Sequence, residues 1–229
     1  MLRLLGYTLA LIVLAAVAFG IYTFIPKTPE IPVTINGVGT ESGTEMKVVD
    51  VYETSNAYRI EAHYPQVGIS SVDAKIKAAV DKAIEVFKEY PANPDSSVPQ
   101  NEFTSSFSSV YKGQDVVSVK LSVTEYTGGA HPNTALIAVN VDPRSGRELT
   151  LDDALAMIGK SLQEVAEQSL KELKATLGED IIFSEGAAAK PENYGTFTVG
   201  SDRITFIFQN YQVAPYSSGQ QEVWFKRVK

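Results

Sequence analysis

The sequence predicts an α+β domain, in which antiparallel sheet carries helices on one face, preceded by one N-terminal transmembrane helix. Three observations lead to this prediction: a long uncharged apolar stretch at the start, later runs of alternating apolar and polar residues, and amphipathic helical segments between those runs. The helical segments stand singly between runs of strands. This order favours α+β over a doubly wound parallel sheet, in which strands and helices alternate throughout.

The N-terminal stretch, residues 4–25, contains no charged side chain. As a helix it would be about 33 Å long, which is enough to cross the hydrocarbon core of a bilayer. Pro26 ends this helix. A cleaved signal peptide with its site at Ala16–Ala18 is the alternative, but the apolar run continues to Ile25 and favours an uncleaved anchor. Because only three residues precede the span, we expect a single-pass protein of the cell membrane whose C-terminal domain is extracytoplasmic.

The next residues, 26–45, are rich in Pro, Gly and Thr. This composition buries little surface, so we predict a tether between the membrane and the domain. A short strand at residues 33–35 would shorten the tether. We divide the domain into a first part, residues 46–113, and a second part, residues 114–229, and expect the two to pack together.

The first part of the domain is predicted to contain three strands and one helix. Two β-rich runs, Lys47–Glu53 and Tyr58–Tyr64, are separated by a short polar turn. In Ser70–Tyr90 the apolar residues recur every three or four positions, which predicts a surface helix packed on a sheet. The residues on its apolar face are Val72, Ile76, Val80, Ile84 and Phe87. Aromatic residues among Ser and Thr predict the third strand between Gln100 and Tyr111.

The second part of the domain begins with strict alternation over residues 117–124 and 135–141, which predicts two strands, each with one buried face. Thr150 and Ser161 are each followed, three residues later, by an acidic residue. This pattern is typical of a capping box at the start of a helix. The predicted elements after the second strand are helices at about 151–158 and 162–177 and strands at 196–199, 203–208 and 222–228.

The composition argues against several classes of function. The net charge is −7 and no basic residues cluster, so nucleic acid is a poor candidate partner. The absence of cysteine removes disulfides, thiolate metal sites and a cysteine nucleophile. Two isolated histidines, His63 and His131, do not make a transition-metal site, and the oxygen-rich loop Asn140–Glu148 lacks the spacing of a calcium loop. We therefore predict no cofactor and no metal.

No catalytic constellation stands out in the sequence. His131 lies beside glycines in a predicted loop, but no nucleophile motif accompanies it, which favours a structural role in which it hydrogen-bonds the loop to the neighbouring strand. Asp152 and Asp153 fall in a first helical turn, where carboxylates cap the helix. We therefore predict that the protein is not an enzyme. An envelope glycan-active enzyme that uses His131 together with Glu125 stays open as an alternative.

Three segments together resemble a known pair of domains. They are Tyr64–Val67, residues 126–153 with Gly-Gly-Ala-His-Pro at 128–132, and Tyr211–Gly219 with Ala-Pro-Tyr at 214–216. Over about residues 46–229 the chain is similar to the paired domains of unknown function of the RsiV-type anti-sigma factor ectodomain, also found in PdaC-type peptidoglycan deacetylases. The resemblance implies an α+β ectodomain at the bacterial envelope. It implies that such an ectodomain binds lysozyme in the anti-sigma members and accompanies a catalytic domain in the deacetylases.

Two departures from these families limit what the resemblance implies. Only three residues precede the predicted anchor, so we expect no cytoplasmic sigma-binding segment, and we find no polysaccharide deacetylase domain. We therefore expect neither signalling nor deacetylation. The remaining expectation is a membrane-anchored extracytoplasmic binding module that recognises a protein such as lysozyme, or the cell-wall glycan, peptidoglycan. A structural component of an envelope complex is a further alternative.

The predicted partner-binding residues come from two loops. Tyr216 follows Pro215, which fixes the backbone, and precedes small residues, so we expect its ring to be available for contact. The alternative is a ring in the core whose hydroxyl latches the loop. Tyr126, Tyr211 and Trp224 could likewise stack on sugars or anchor a protein partner, but aromatic residues in strands usually pack in the core or in the pleat of the sheet. At least one of Gly128, Gly129 and Gly146 is expected at positive φ. The predicted set is Gly128, Gly129, His131, Asn133, Pro215, Tyr216 and Gly219.

Overall fold

The computed structural model describes residues 34–35, 46–94 and 100–228, and these form nine strands, three α-helices and three short 3-10 turns. The predicted transmembrane anchor, residues 4–25, lies outside the described residues, as does most of the predicted tether. Within the described residues, no helix combines the length and the apolar character that a membrane crossing requires.

The order of these elements is the one that the sequence predicts, with the 3-10 turns added. The strands are β1 (Thr34–Ile35), β2 (Lys47–Thr54), β3 (Tyr58–Gln66), β4 (Asn101–Lys112), β5 (Val117–Tyr126), β6 (Asn133–Val141), β7 (Phe197–Val199), β8 (Arg203–Phe208) and β9 (Gln221–Lys226). The helices are α1 (Ser70–Lys88), α2 (Leu151–Ile158) and α3 (Leu162–Leu177). The 3-10 turns span Ser184–Ala187, Pro191–Tyr194 and Tyr216–Ser218.

The larger sheet has its strands in the order β2-β3-β4-β5-β6, with β1 paired to β4. Most neighbours are antiparallel, but β3 and β1 each pair with β4 in parallel. The α+β class is confirmed, while the prediction of antiparallel sheet is wrong at these two pairs. For β3 and β4 the reason is helix α1, which lies between them in the chain. A helical crossover returns the chain to the end at which the first strand began, so the next strand runs in the same direction.

Helix α1 packs on the larger sheet with the apolar face that the sequence predicts. All five residues of that face are buried: Val72, Ile76, Val80, Ile84 and Phe87. They form one hydrophobic core with buried residues of the sheet, among them Ile60 of β3, Phe103 of β4 and Leu121 of β5. The helical period therefore predicts which side of α1 meets the sheet, because burial of a continuous apolar stripe is what stabilises a surface helix.

The smaller sheet, in the order β7-β8-β9, is antiparallel and forms a second hydrophobic core with α2 and α3. Phe206 of β8 is fully buried in this core. Its ring contacts three other aromatic rings, those of Tyr194, Phe197 and Phe225. This cluster of rings supplies much of the large apolar surface that the smaller sheet and its helices share.

Both helices of the second core begin with the predicted capping boxes. The Thr150 side chain accepts a hydrogen bond from the backbone N–H of Asp153, and Ser161 accepts one from Glu164. In each box the carboxylate bonds back to the backbone N–H of the capping residue. The Arg147 guanidinium and the Thr150 N–H hold the pKa of the Asp153 carboxyl well below its usual range. The caps thus satisfy backbone groups that the first turn leaves unpaired.

Two buried polar side chains join the larger sheet to the smaller one. Asn140 of β6 donates from Nδ2 to the carbonyl oxygen of Phe197 at 2.7 Å. The Ser118 hydroxyl of β5 accepts from the backbone N–H of Val199 at 3.0 Å. Strand β7 therefore lies against β5 and β6. The division of the domain into residues 46–113 and 114–229 stays a prediction, and its boundary falls in the turn between β4 and β5.

Candidate functional site

The structure brings the two predicted loops together. The His131 ring, in the loop between β5 and β6, stacks on the Tyr216 ring with centroids 4.0 Å apart and planes inclined by 22°. The Tyr216 hydroxyl donates to the backbone carbonyl of Pro132 at 2.8 Å. Tyr216 and Pro132 lie 84 positions apart in the chain. The two segments that carry most of the predicted partner-binding residues therefore form one surface.

Tyr211 adds a third ring to this surface. Its ring centroid lies 5.4 Å from that of Tyr216, and 57% of the residue is exposed. Its backbone has a φ of 65°, and no other non-glycine residue of the described part has a positive φ. A bulky residue in this conformation is uncommon and is typical of turns and functional sites. We call His131, Tyr211 and Tyr216 the aromatic cluster.

Side-chain amides hold the segment Gln209–Gln220 against the outer edge of β6. The Leu136 N–H donates to Gln209 Oε1 at 3.0 Å, and Gln209 Nε2 donates to the Leu136 carbonyl at 2.8 Å. The Thr134 carbonyl accepts from Asn210 Nδ2 and Gln220 Nε2, at 3.1 and 2.9 Å. These contacts satisfy backbone groups that an edge strand would otherwise leave unpaired.

The opposite side of the same segment packs against the 3-10 turn Ser184–Ala187. Gln212 Nε2 donates to the carbonyls of Gly186 and Asn193, both at 3.0 Å. The Phe183 N–H donates to the Val213 carbonyl at 2.8 Å. Gly186 lies so close to the Gln212 backbone that a Cβ atom would have no room. The segment that carries the two tyrosines is thus held on both sides, which orients their rings.

The other predicted site residues surround the cluster without sharing one role. Gly128 has a φ of 88° and Gly219 a φ of 66°, so both serve turns that a side chain would strain. The expectation of a positive φ among the loop glycines is confirmed by Gly128 and also by Gly146, at 71°. Gly129 has an ordinary φ. Asn133 is exposed at the start of β6, and Pro215 is half-buried before the 3-10 turn.

Tyr216 combines the two roles that the sequence leaves open. Its hydroxyl latches the loop to Pro132, while its ring is only half-buried and stacks on His131. Tyr211, for which the sequence favours packing, is instead 57% exposed. Trp224 is 53% exposed on β9, where its ring packs under the Arg203 guanidinium of β8 at 5.0 Å. The assignment of Tyr211 is wrong because it lies in the irregular segment after β8, where strand alternation does not decide exposure. No local sequence pattern indicates that Tyr211 is exposed.

The contacts of the two histidines differ. Apart from the stack on Tyr216, His131 bonds through Nδ1 to the carbonyl of Pro132 at 2.9 Å. Its expected bond to a neighbouring strand is not formed. His63 lies between two carboxylates, with Nδ1 2.6 Å from Asp50 and Nε2 3.2 Å from Glu61, and the Asp50 hydrogen bond raises the pKa of His63. In the described part of the chain, no group of three or more His, Asp or Glu side chains is arranged to hold a metal ion.

Comparison with protein families matches two parts of the chain. Residues 51–134 match the family described as "Deacetylase PdaC", and residues 149–227 match the "Protein of unknown function (DUF3298)" family. The chain carries this pair of domains. The resemblance inferred from the three sequence segments is thereby confirmed. The aromatic cluster takes His131 from the first domain and both tyrosines from the second, so it lies where the two domains meet.

Known relatives cover most of this chain. It is 25% identical over 199 residues to the peptidoglycan-N-acetylmuramic acid deacetylase PdaC of Bacillus subtilis, covering 84% of this chain but only 43% of that enzyme. It is 23% identical over 209 residues to the immunogenic protein MPT64 of Mycobacterium tuberculosis, covering 91% of this chain and 89% of that protein. A crystal structure of a DUF3298 family member from Bacteroides fragilis matches with a TM-score of 0.55 and 21% identity, over 80% of this chain and 90% of that one. This last likeness establishes the fold alone.

Proposed function

We propose that this chain is a binding module of the bacterial cell envelope and that its aromatic cluster contacts the cell-wall glycan. The observation that carries the proposal is the exposed Tyr211 ring, held at positive φ beside the stack of Tyr216 and His131. A backbone conformation of this kind costs about 1–3 kcal/mol and is typical of sites whose geometry serves a ligand.

The chemistry of the cluster fits a neutral sugar. A tyrosine presents an apolar ring face to the C–H groups of a sugar and a hydroxyl to its polar groups. No charged residue occurs in residues 127–133 or 209–220, and these loops are rich in Asn, Gln, Ser and Gly. Amides and hydroxyls supply both donors and acceptors. An uncharged aromatic surface with neutral polar groups around it therefore favours a glycan over a strongly charged ligand.

The comparisons support the same cellular environment. The PdaC relative is named for its action on peptidoglycan, which is the cell-wall glycan. This chain spans 43% of that enzyme, and we propose that it binds the wall without deacetylating it. The support is that the contacts of His131 within the described residues are the Tyr216 ring and the Pro132 carbonyl, and neither is a carboxylate that would orient it as a general base.

A cationic protein such as lysozyme is the second candidate partner. The net charge of −7 favours this partner, because an acidic surface raises the rate at which a cationic protein meets it. The cluster itself carries no acidic residue, so we expect the binding of such a protein to depend on salt concentration more than on Tyr211. This difference separates the two candidates in an experiment.

The test is retention of the purified full chain on isolated cell-wall sacculi and on immobilised lysozyme. We expect retention on sacculi, and a loss of about 1–3 kcal/mol of binding free energy for Tyr211→Ala. Tyr52→Ala is the matched control, since Tyr52 is 67% exposed on β2, at the opposite edge of the larger sheet. Tyr216→Phe keeps the ring and removes only the latch to Pro132.

The outcomes separate the candidates. No retention on sacculi rejects the glycan proposal. Salt-sensitive retention on lysozyme that Tyr211→Ala leaves unchanged favours the second candidate. Equal losses for Tyr211→Ala and Tyr52→Ala mean that the cluster is not the contact surface.

We further propose that the module is anchored in the membrane by residues 4–25, with the domain on the extracytoplasmic side. The uncharged apolar stretch supports this location. Cell fractionation tests it. Recovery of a shortened mature protein from the medium, with its N-terminus near Phe19, would replace the anchor with a signal peptide.

A further inference from the structure

A cavity of about 380 Å³ lies between α1 and the end of the β5–β6 hairpin, outside the aromatic cluster. It exists because small residues face each other there. Ala79 and Ala83 lie on α1 beside its buried stripe, and Ala135 of β6 lines the other wall. Methyl side chains are too short to fill the gap between α1 and β6 at these positions. The size is at the lower end of the range of about 300–1,000 Å³ for small-molecule sites.

Polar groups lie on the otherwise apolar wall of this cavity. Glu125 of β5 and Asn133 of β6 line it and are direct cross-strand partners. Burial raises the pKa of the Glu125 carboxyl, and the nearby Tyr90 side chain partly offsets this effect. Lys82 of α1 is exposed and also lines the cavity. The cavity thus offers a carboxyl acceptor, an amide and a cation beside walls of methyl groups.

We propose that this cavity binds a short peptide of small apolar residues that ends in a carboxylate, such as a peptide attached to the cell-wall glycan. A peptide group donates an N–H and presents a C=O, which match Glu125 and Asn133. Methyl side chains match the alanine walls, and Lys82 matches a terminal carboxylate. An alkyl chain would make no hydrogen bond to Glu125 or Asn133, so these two groups favour a peptide over an alkyl chain.

The position of the cavity connects it to the proposed glycan contact. Asn133 directly follows Pro132, whose carbonyl accepts the Tyr216 hydroxyl. A glycan on the aromatic cluster would therefore have a peptide substituent within reach of the cavity. The assignment of the peptide to the cell-wall glycan rests on the proposed function. The test therefore also includes a peptide probe that carries no sugar.

The experiment compares two forms of soluble glycan fragment, one with its peptides and one from which an amidase has removed them. The full chain is used in detergent. We expect the peptide-bearing form to bind at least about tenfold more tightly. Ala83→Leu fills the cavity and should bring the two affinities together, and Lys82→Ala should weaken only the peptide-bearing form. Ala74→Leu is the control, since Ala74 is exposed on the same helix and does not line the cavity.

A free trialanine peptide is the probe that does not depend on the glycan. Saturable binding that Ala83→Leu abolishes and Tyr211→Ala leaves unchanged supports the cavity even if no glycan binds. Equal affinity of the two glycan forms, or trialanine binding that Ala83→Leu does not alter, overturns the inference while leaving glycan binding by the cluster intact. A medium-chain alkyl carboxylate that binds better than trialanine also overturns it.

Discussion

Replacement of Gly186 by alanine would test how the segment that carries Tyr211 and Tyr216 is held. A Cβ atom on Gly186 would lie 1.7 Å from the backbone oxygen of Gln212 and 2.6 Å from its carbonyl carbon. Both distances are far below van der Waals contact, and the clashing atoms are backbone. The Gln212 backbone therefore has to move, although the next two residues, Val213 and Ala214, are buried.

The expected loss of stability follows from the contacts that this movement breaks. Overpacking a close contact typically costs about 1–3 kcal/mol. The shift also disrupts the hydrogen bonds from Gln212 Nε2 to the Gly186 carbonyl and from the Phe183 N–H to the Val213 carbonyl. A hydrogen bond contributes about 1 kcal/mol to stability. We therefore expect Gly186→Ala to lower the free energy of unfolding by about 3–5 kcal/mol.

Urea denaturation followed by far-UV circular dichroism measures this change. Gly195→Ala is the matched control, because Gly195 has an ordinary φ of −68° and the nearest atom to its Cβ, the Glu192 carbonyl oxygen, would be 4.0 Å away. The control should change stability by no more than about 0.5 kcal/mol. If Gly186→Ala is as stable as Gly195→Ala, the close approach of the two backbones is refuted, and with it the argument that this turn orients the aromatic cluster.

Three further predictions concern stability. Thr150→Ala removes the acceptor for the Asp153 N–H and should cost about 1 kcal/mol in urea denaturation; no loss would contradict the cap. Phe206→Ala should cost about 3–5 kcal/mol by the same assay, because the ring is fully buried among other rings; a loss below about 1 kcal/mol would contradict that packing. The pKa of His63 is raised above 6.5, chiefly by Asp50, so its protonated form stabilises the fold below pH 6.5, and this contribution is lost as the pH rises through the raised pKa. The stability difference between wild type and His63→Gln should therefore shrink as the pH rises above 6.5. A difference that grows with pH would show that folding lowers the pKa of His63 rather than raising it.

Local sequence patterns predict most of the elements, because each depends on residues close together in the chain. The apolar stripe of α1 and the capping boxes at Thr150 and Ser161 are confirmed in this way. The parallel pairing of β3 with β4 is not visible in any strand, since alternation reports only which face is buried. The helix between these strands does indicate it, through the direction that a crossover imposes on the following strand.

Only parts of the candidate site can be predicted from the sequence. Glycine, proline and a loop tyrosine mark the two segments around His131 and Tyr216, but nothing local indicates that these segments meet. Their contact depends on the Gln209–Gln220 segment lying along β6, a pairing of side chains with backbone groups more than 70 residues away. The exposure of Tyr211 follows from the same arrangement, and for this reason its sequence neighbours do not predict it.

The double hydrogen bond between Gln209 and Leu136 has a consequence for aggregation. An exposed edge strand offers free N–H and C=O groups to strands of other molecules. One glutamine side chain occupies both groups of Leu136, yet it has no further backbone with which to continue a ladder. It therefore closes that position of the sheet edge without creating a new one. Local opening of the segment would expose these groups again, so resistance to intermolecular strand pairing depends on the same stretch of chain that presents Tyr211 and Tyr216.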